Sequence, residues 1–496
     1  MTKPWTLRTW ASLFASAIVV SSATALAQTP PPEPQPTPPA EPPPPAAVTP
    51  PPPAAPVSEG AEIYPKMSNG AIMVGKDAWI RLGVQAMVWA DYLQAGSGAA
   101  TAATDGSYSL NLILRRARVL VGAQINKDVN LFFQLDAPRL GTGTNATTLP
   151  VVTCSTTQNA MTMALTTTCA TAVGKRFNAQ DGGGEILQDG FGEIKFAGDA
   201  FMLETGLMVI PFSHNELQST TTFLALDVST VATQTPFTSG TRDVGFQFKG
   251  YELDDKLEWR LAVMAGNRQG TNGTNVLGHN MPRIAGHIQY DFMDAQKGYT
   301  YGGHFFGKQS HLGISAGFDV QKNDDVQGAM GVTTSSGTYW AVSAGVYGAY
   351  PLSGQNNKKG GDEIAFVAEY FRYDNGQKQD ATGAVTTPGT GGTLPQNDLL
   401  VEAAYYNNDA AISIFGKYEL RNLALDNATA AQKAANNQQW VGGGLKYYVV
   451  PAANNMNFTA FFQRIIFSDN LPAMGTTAAA PSGANEFVLQ ASLFFY

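Results

Sequence analysis

Two arginines stand two residues apart in Leu114–Gly122 (LRRARVLVG), Arg116 and Arg118. In an extended chain that spacing points both to one side, while Ala117, Val119 and Val121 take the other. Arg115 falls on the apolar parity, where its guanidinium would snorkel toward an interface. A basic pair backed by an apolar row suits a strand that meets water on one face and hydrocarbon on the other. Arg81, Lys195, Arg260 and Arg283 occupy equivalent polar rows in other segments. Cationic side chains along a wet passage attract anions and hand them from site to site. Glu193, Glu204, Asp243, Glu258, Glu369, Glu402 and Glu419 share comparable rows, so a transverse field without net preference is equally open. For any one of these charges, a salt bridge with no selectivity role is the simpler reading.

The stretch Pro211–Thr241 (PFSHNELQSTTTFLALDVSTVATQTPFTSGT) is the most distinctive connection. Phe223, Leu224, Leu226 and Phe237 are too apolar for a loop in water. Two placements are open: a loop folded inward as a constriction, or an outer loop that covers a mouth or a neighbouring subunit. Ser213, His214 and Glu216 lie here and join the constriction candidates. Adjacent residues rarely reach nucleophile–base geometry, and no third orienting group is evident. The five histidines have no zinc-ligand spacing, and Gln180–Gly184 (QDGGG) precedes a strand, not a helix. No catalytic residue, metal or cofactor is predicted, and the chain does not read as an enzyme.

The elements that must position these residues follow a period of two. Trp79–Leu93 sets Ile80, Leu82, Val84, Ala86 and Val88 against Arg81, Gly83, Gln85 and Asp91. Ala410–Arg421 sets Ile412, Ile414, Tyr418 and Leu420 against Ser413, Lys417, Glu419 and Arg421. Such segments recur near 79–93, 110–125, 128–138, 186–197, 200–210, 242–251, 256–266 and 281–293. They continue near 310–321, 338–351, 363–374, 398–407, 410–421, 438–450, 456–468 and 485–496. Tight turns (Asn126-Lys127, Ala197–Asp199, Leu253–Asp255, Asn407–Asp409) alternate with long Gly/Thr/Ala/Asn-rich connections such as 139–185 and 211–241. The predicted fold is all-β, a 16-stranded antiparallel transmembrane β-barrel. Its last segment (NEFVLQASLFFY) carries an apolar row, Phe487 to Phe495, that would be a hazardous open edge in a soluble domain. A barrel of this size is expected to hold a water-filled lumen.

Residues 1–27 read as a signal peptide: Lys3 and Arg8, an apolar run Ala11–Val20, then Ala25-Leu26-Ala27. Residues 28–57 form a Pro-rich periplasmic linker whose composition cannot bury a core and favours polyproline II, leaving 58–496 for the barrel. No apolar run is long enough for a transmembrane helix. The chain is acidic, with a net charge of −8, which gives no hint of nucleic-acid binding. Cys154 and Cys169 are expected to pair as a loop staple in an oxidising compartment.

Leu114–Arg139 and Gly190–Asp227 resemble the phosphate-selective porin O and P family. Arg116, Arg118 and the Pro211-Phe212-Ser213 corner match its arginine pair and strand-to-loop corner. The resemblance implies a trimeric channel of 16 strands with its third loop folded into the pore. That family lines its constriction with lysine and arginine ladders, whereas Ser213–Thr241 contains neither. The expectation is therefore a porin in the outer membrane of a Gram-negative cell, surrounded by lipid, passing small hydrophilic solutes or ions, with anions such as phosphate one option. The competing expectation is a structural or adhesive barrel tied to peptidoglycan by its Pro-rich tail.

Overall fold

The computed structural model describes residues 66–68, 70–95, 108–137, 149–158, 165–174, 187–236, 241–266, 281–327, 333–352, 360–387, 393–429, 432–433, 436–467 and 483–496. The expected signal peptide and Pro-rich linker lie outside these residues. β1 (Lys66–Ser68) and β2 (Ala71–Met73) form a short hairpin ahead of β3 (Trp79–Ala95), β4 (Tyr108–Asn126) and β5 (Val129–Asp136). β6 (Leu149–Gln158) and β7 (Leu165–Gly174) pair only with each other. Then come β8 (Leu187–Lys195), β9 (Met202–Val209), β10 (Arg242–Glu252), β11 (Leu257–Met264) and β12 (Arg283–Asp291). β13 (His311–Gln327), β14 (Thr333–Pro351) and β15 (Glu363–Asp374) lead to a small ribbon, β16 (Lys378–Gln379) and β17 (Val385–Thr387). β18 (Gln396–Asn407), β19 (Ile412–Leu423), β20 (Gln438–Tyr448), β21 (Met456–Phe467) and β22 (Gly483–Phe495) complete the chain.

Sixteen strands, β3–β5, β8–β15 and β18–β22, pair antiparallel in sequence order, and β22 closes onto β3 from Ala484↔Ala95 to Phe495↔Val84. Every strand of this ring therefore has two partners, and no edge is left. The alternation determines what each face meets. Outward residues are apolar and exposed, reaching 69% at Leu112, while Gln85, Arg118, Gln247, Glu258, Asp319, Glu369 and Glu402 are buried inside. This inversion of a soluble protein's pattern is what a hydrocarbon surround demands, because the closed ring pairs every backbone group. Exposed aromatics collar both rims: Phe292, Tyr350, Tyr405, Tyr447 and Phe495 at one, Tyr92, Trp340, Tyr370 and Phe487 at the other.

Tyr496 turns inward over Gly83 and Gly122, where any Cβ would run into its side chain. The Arg81 guanidinium lies 5.6 Å from the Tyr496 ring and 5.7 Å from that of Trp79. Below the end of β22, β2 takes up the vacant stretch of β3 through Ile72↔Ile80 and Met73↔Trp79. Two features depart from the expected layout. The long connection after β5 contains the β6–β7 hairpin, whose register sets Cys154 opposite Cys169. The connection 292–310, on the side of the tight turns, is long and folds into the lumen.

Candidate functional site: the barrel lumen

The segment between β9 and β10 enters the barrel because its apolar residues need cover. Phe212, Leu217, Phe223, Leu224, Leu226 and Val231 are all buried there. Of the two placements open from sequence, the chain adopts the inward one. Its route is fixed by wall residues that satisfy its backbone. The Ser343 hydroxyl of β14 donates to the Phe212 carbonyl (2.7 Å), which also lies where a Cβ on Gly317 would collide. The Glu369 carboxylate of β15 accepts from the backbone N–H groups of His214 (2.9 Å) and Asn215 (3.1 Å). On the far side, Lys446 of β20 donates to the carbonyls of Phe223 (2.7 Å) and Ala225 (3.2 Å). Glu419 of β19 accepts from the Thr230 N–H (2.9 Å), and the Tyr373 hydroxyl donates to Val231 and Ala232. Arg283 of β12 donates to the Pro236 carbonyl. The loop thus makes a circuit of the lumen.

Arg115 overturns the parity expected for it. Met87 faces Arg116 while Val88 faces Leu114, so Arg115 is the extra residue of a β-bulge and turns inward beside Arg116. Both converge on Asp227 of the loop, with Arg115 Nη2 at 2.5 Å from Oδ2 and Arg116 Nη2 at 2.8 Å from Oδ1. Burial alone would raise the Asp227 carboxyl, but Arg115 and Arg116 hold it below the usual carboxylate range. Arg118 pairs with Asp136 (2.7 Å) and donates to Thr220 (2.9 Å).

The other sequence candidates are spread around the lumen. Arg260 pairs with Glu258 (2.7 Å) and donates to the carbonyls of Gly298 and Tyr299, each at 3.0 Å. Arg283 is bound by Asp243 (3.2 Å) and Asp319 (3.1 Å). Lys195 pairs with Asp199 (2.8 Å) at the turn-side mouth, and Arg81 lies at that mouth with Tyr496. Ser213 Oγ accepts the Glu216 N–H (3.1 Å), while Glu216 accepts from Thr235 (2.7 Å). His214 stacks on Tyr347 (3.8 Å between ring centroids) and Tyr301 (4.9 Å). Burial pushes the His214 imidazole down to about 3 and the Glu216 carboxyl well up. These three side chains face different partners and pack the loop's root; they do not converge on one reacting atom. Among the described residues no group of His, Cys, Asp and Glu is arranged to hold a metal ion.

Segment 292–310 fills more of the lumen from the opposite mouth. Tyr299 packs on Phe132 and Phe191, and Phe306 packs on Tyr406 and Tyr448. Both inserts take space that the strand count alone would leave to water. A cavity of about 50 Å³ remains between the loop tip and the β19–β22 and β3 wall. Trp89, Trp440 and Phe461 border it beside Asp227, Thr230, Lys417, Gln463 and Glu486. At the turn-side mouth a separate cavity of about 870 Å³ lies beside Asp294, His304, Lys308, Asn455 and Tyr496. None of the residues that line the smaller cavity is among the site candidates read from the sequence. Asp227 was findable: with Glu216 it is one of two acidic residues in a loop without Lys or Arg, and the wall offers an arginine cluster.

No family model matches the chain, and no curated protein matches it. Matches among solved structures include bacterial porins. An anion-selective porin from Comamonas acidovorans is 11% identical, with 84% of this chain and 100% of that one covered and a TM-score of 0.44. OprB from Pseudomonas putida is 12% identical over 85% and 94%, with a TM-score of 0.49. A BenF-like porin from Pseudomonas fluorescens Pf-5 is 9% identical over 85% and 99%, with a TM-score of 0.38.

Proposed function

We propose that the protein is a narrow porin, a passive channel for small hydrophilic solutes or ions in the outer membrane of a Gram-negative cell. The observation that carries this reading is the closed, lipid-facing barrel with a polar interior, which keeps a small cavity between the loop tip and the β19–β22 wall. About 50 Å³ accommodates a few waters, so small ions fit this arrangement and larger solutes require the loop to move. A homotrimer is part of the proposal, as is the general porin character of the resemblance to phosphate-selective members.

Phosphate or anion selectivity is not included. Lysine or arginine ladders need cations facing the path, and here those cations face acids. Arg115 and Arg116 share Asp227, Arg118 meets Asp136, and Lys417 lies 2.9 Å from Glu419 and 3.8 Å from Glu402. Purified protein in a planar bilayer across a KCl gradient is expected to give small conductance steps with a reversal potential near zero. Strong anion selectivity would overturn the selectivity reading. Folded protein without any conductance would overturn the channel and favour the structural, wall-linked barrel.

A further inference from the structure

Tyr301 is where the two inserts meet. Its N–H donates to the Leu217 carbonyl (2.8 Å), and its carbonyl accepts from the Ser219 N–H (2.8 Å). The Gln218↔Tyr301 bridge thus makes a short parallel β contact between the two loops inside the lumen. The ring, 1% exposed, stacks on His214, lies 5.0 Å from the Arg260 guanidinium, and has its hydroxyl 3.3 Å from His287 Nδ1. Two residues on, the Gly303 N–H donates to Thr222 Oγ1 (3.1 Å). A Cβ on Gly303 would strike the Thr222 carbonyl oxygen, so backbone approaches backbone as closely as glycine permits.

Segment 297–303 has its own anchors on the wall. Arg260 holds the carbonyls of Gly298 and Tyr299, and the Tyr251 hydroxyl accepts the Gly298 N–H (2.9 Å). The Tyr299 hydroxyl donates to Asp189 (2.7 Å) and accepts from the Val209 N–H (2.8 Å), at the residue where the constricting loop departs. The insert is therefore fixed to the wall on one side and pairs with residues 217–222 on the other.

We infer that segment 297–303 is a strut that sets the aperture from the turn-side mouth, with Tyr301 as its positioning residue. The loop tip at 223–230 follows directly from the strutted stretch, so the strut holds its near end while Lys446 and Glu419 hold the tip to the β19–β20 wall, and the two sets of contacts together set the gap. This rests on the channel reading and adds a control point on the side away from the long loops.

The experiment compares wild type, Tyr301→Ala, Tyr301→Phe and Gly303→Ala in the same planar bilayer. Folding is checked for each by the heat-sensitive mobility of the barrel on gels. Tyr301→Phe keeps ring and backbone and is expected to conduct as wild type does. Tyr301→Ala and Gly303→Ala are expected to raise single-channel conductance by about twofold or to add open-state noise, because a wider or unsteady aperture passes more ions. Gly303→Ala adds one methyl group at the contact and tests the inference should Tyr301→Ala fail to fold. Unchanged conductance and noise in folded Gly303→Ala would overturn the strut while leaving the channel intact. A wild type that does not conduct would overturn the channel reading instead.

Discussion

Arg115 and Asp227 touch at 2.5 Å although strict alternation would send Arg115 into lipid. The bulge opposite Met87 and Val88 supplies the extra residue that turns it inward. One carboxylate then holds two buried guanidinium groups, and the arrangement depends on that carboxylate.

Replacing Asp227 by Asn removes the carboxylate that Arg115 and Arg116 share. Breaking a buried ion pair in this way costs about 3–5 kcal/mol, which falls on the seated loop. The expected outcome is a larger or noisier conductance, with the reversal potential shifted toward anions because two cations now face the path. A reversal potential identical to wild type would place Asp227 away from the ion route.

Acid is expected to act through His214 and not through Asp227. The Asp227 carboxyl is held low, so its contribution is present above the unfolded pKa and is lost only as pH falls through the lower folded value. His214 has the opposite consequence. Burial depresses it to about 3, so below its ordinary pKa the unseated loop binds the proton and the seated one does not. Each pH unit from about 6.5 downward costs the seated state up to about 1.4 kcal/mol. Conductance noise should therefore grow between about pH 6 and pH 4. His214→Phe, which keeps a flat ring between Tyr301 and Tyr347, should remove that growth; persistence in the variant would shift the cause to other groups.

Truncation of Tyr496 to Ala removes a ring that fills the space over Gly83 and Gly122 and stacks with Arg81. The ring is 40% exposed, so a loss of about 1 kcal/mol is expected, on the scale of one cation–π contact with partial burial. The midpoint temperature of the gel-mobility shift measures it. A Tyr496→Phe variant should retain most of the stability, since the contact is made by the ring.

The register of β6 and β7 places Cys154 opposite Cys169, which brings the two residues of the expected staple onto neighbouring strands. Mass spectrometry of unreduced peptides is expected to find the pair joined. Closing a loop of about 15 residues contributes roughly 3 kcal/mol to that hairpin. The hairpin pairs only with itself, so reduction should leave the barrel's unfolding temperature unchanged.

All sixteen ring strands were legible from the alternation, because one-sided contact with lipid imposes the period of two on every strand. Glu258 and Arg260 are inward and Leu261 and Val263 outward, as their parity required. Arg115 was misplaced because a bulge is set by the partner strand, and no residue in LRRARVLVG marks it. The lumen was expected to be open from strand number alone. Residues 292–310 carry Tyr299, Tyr301, Phe305 and Phe306, too apolar for an exposed turn, and this was the available sign of a second insert. The pairing of Arg115 and Arg116 with Asp227 was beyond the sequence, since it joins a strand to a loop more than 100 residues away.

The seam between β3 and β22 carries a temporal consequence. Trp89 donates to Gln490 across it at 2.8 Å, joining residues 401 positions apart. The cylinder can only be sealed after the final strand has been delivered, and until then β3 presents its hydrogen-bonding groups to whatever it meets. Contacts this remote are slow to form by chain diffusion, so the unsealed sheet must be sheltered for the duration of its assembly. A chain that loses its last dozen residues should therefore fail at assembly, with both flanks of the sheet left open, even though fifteen strands of good pattern remain.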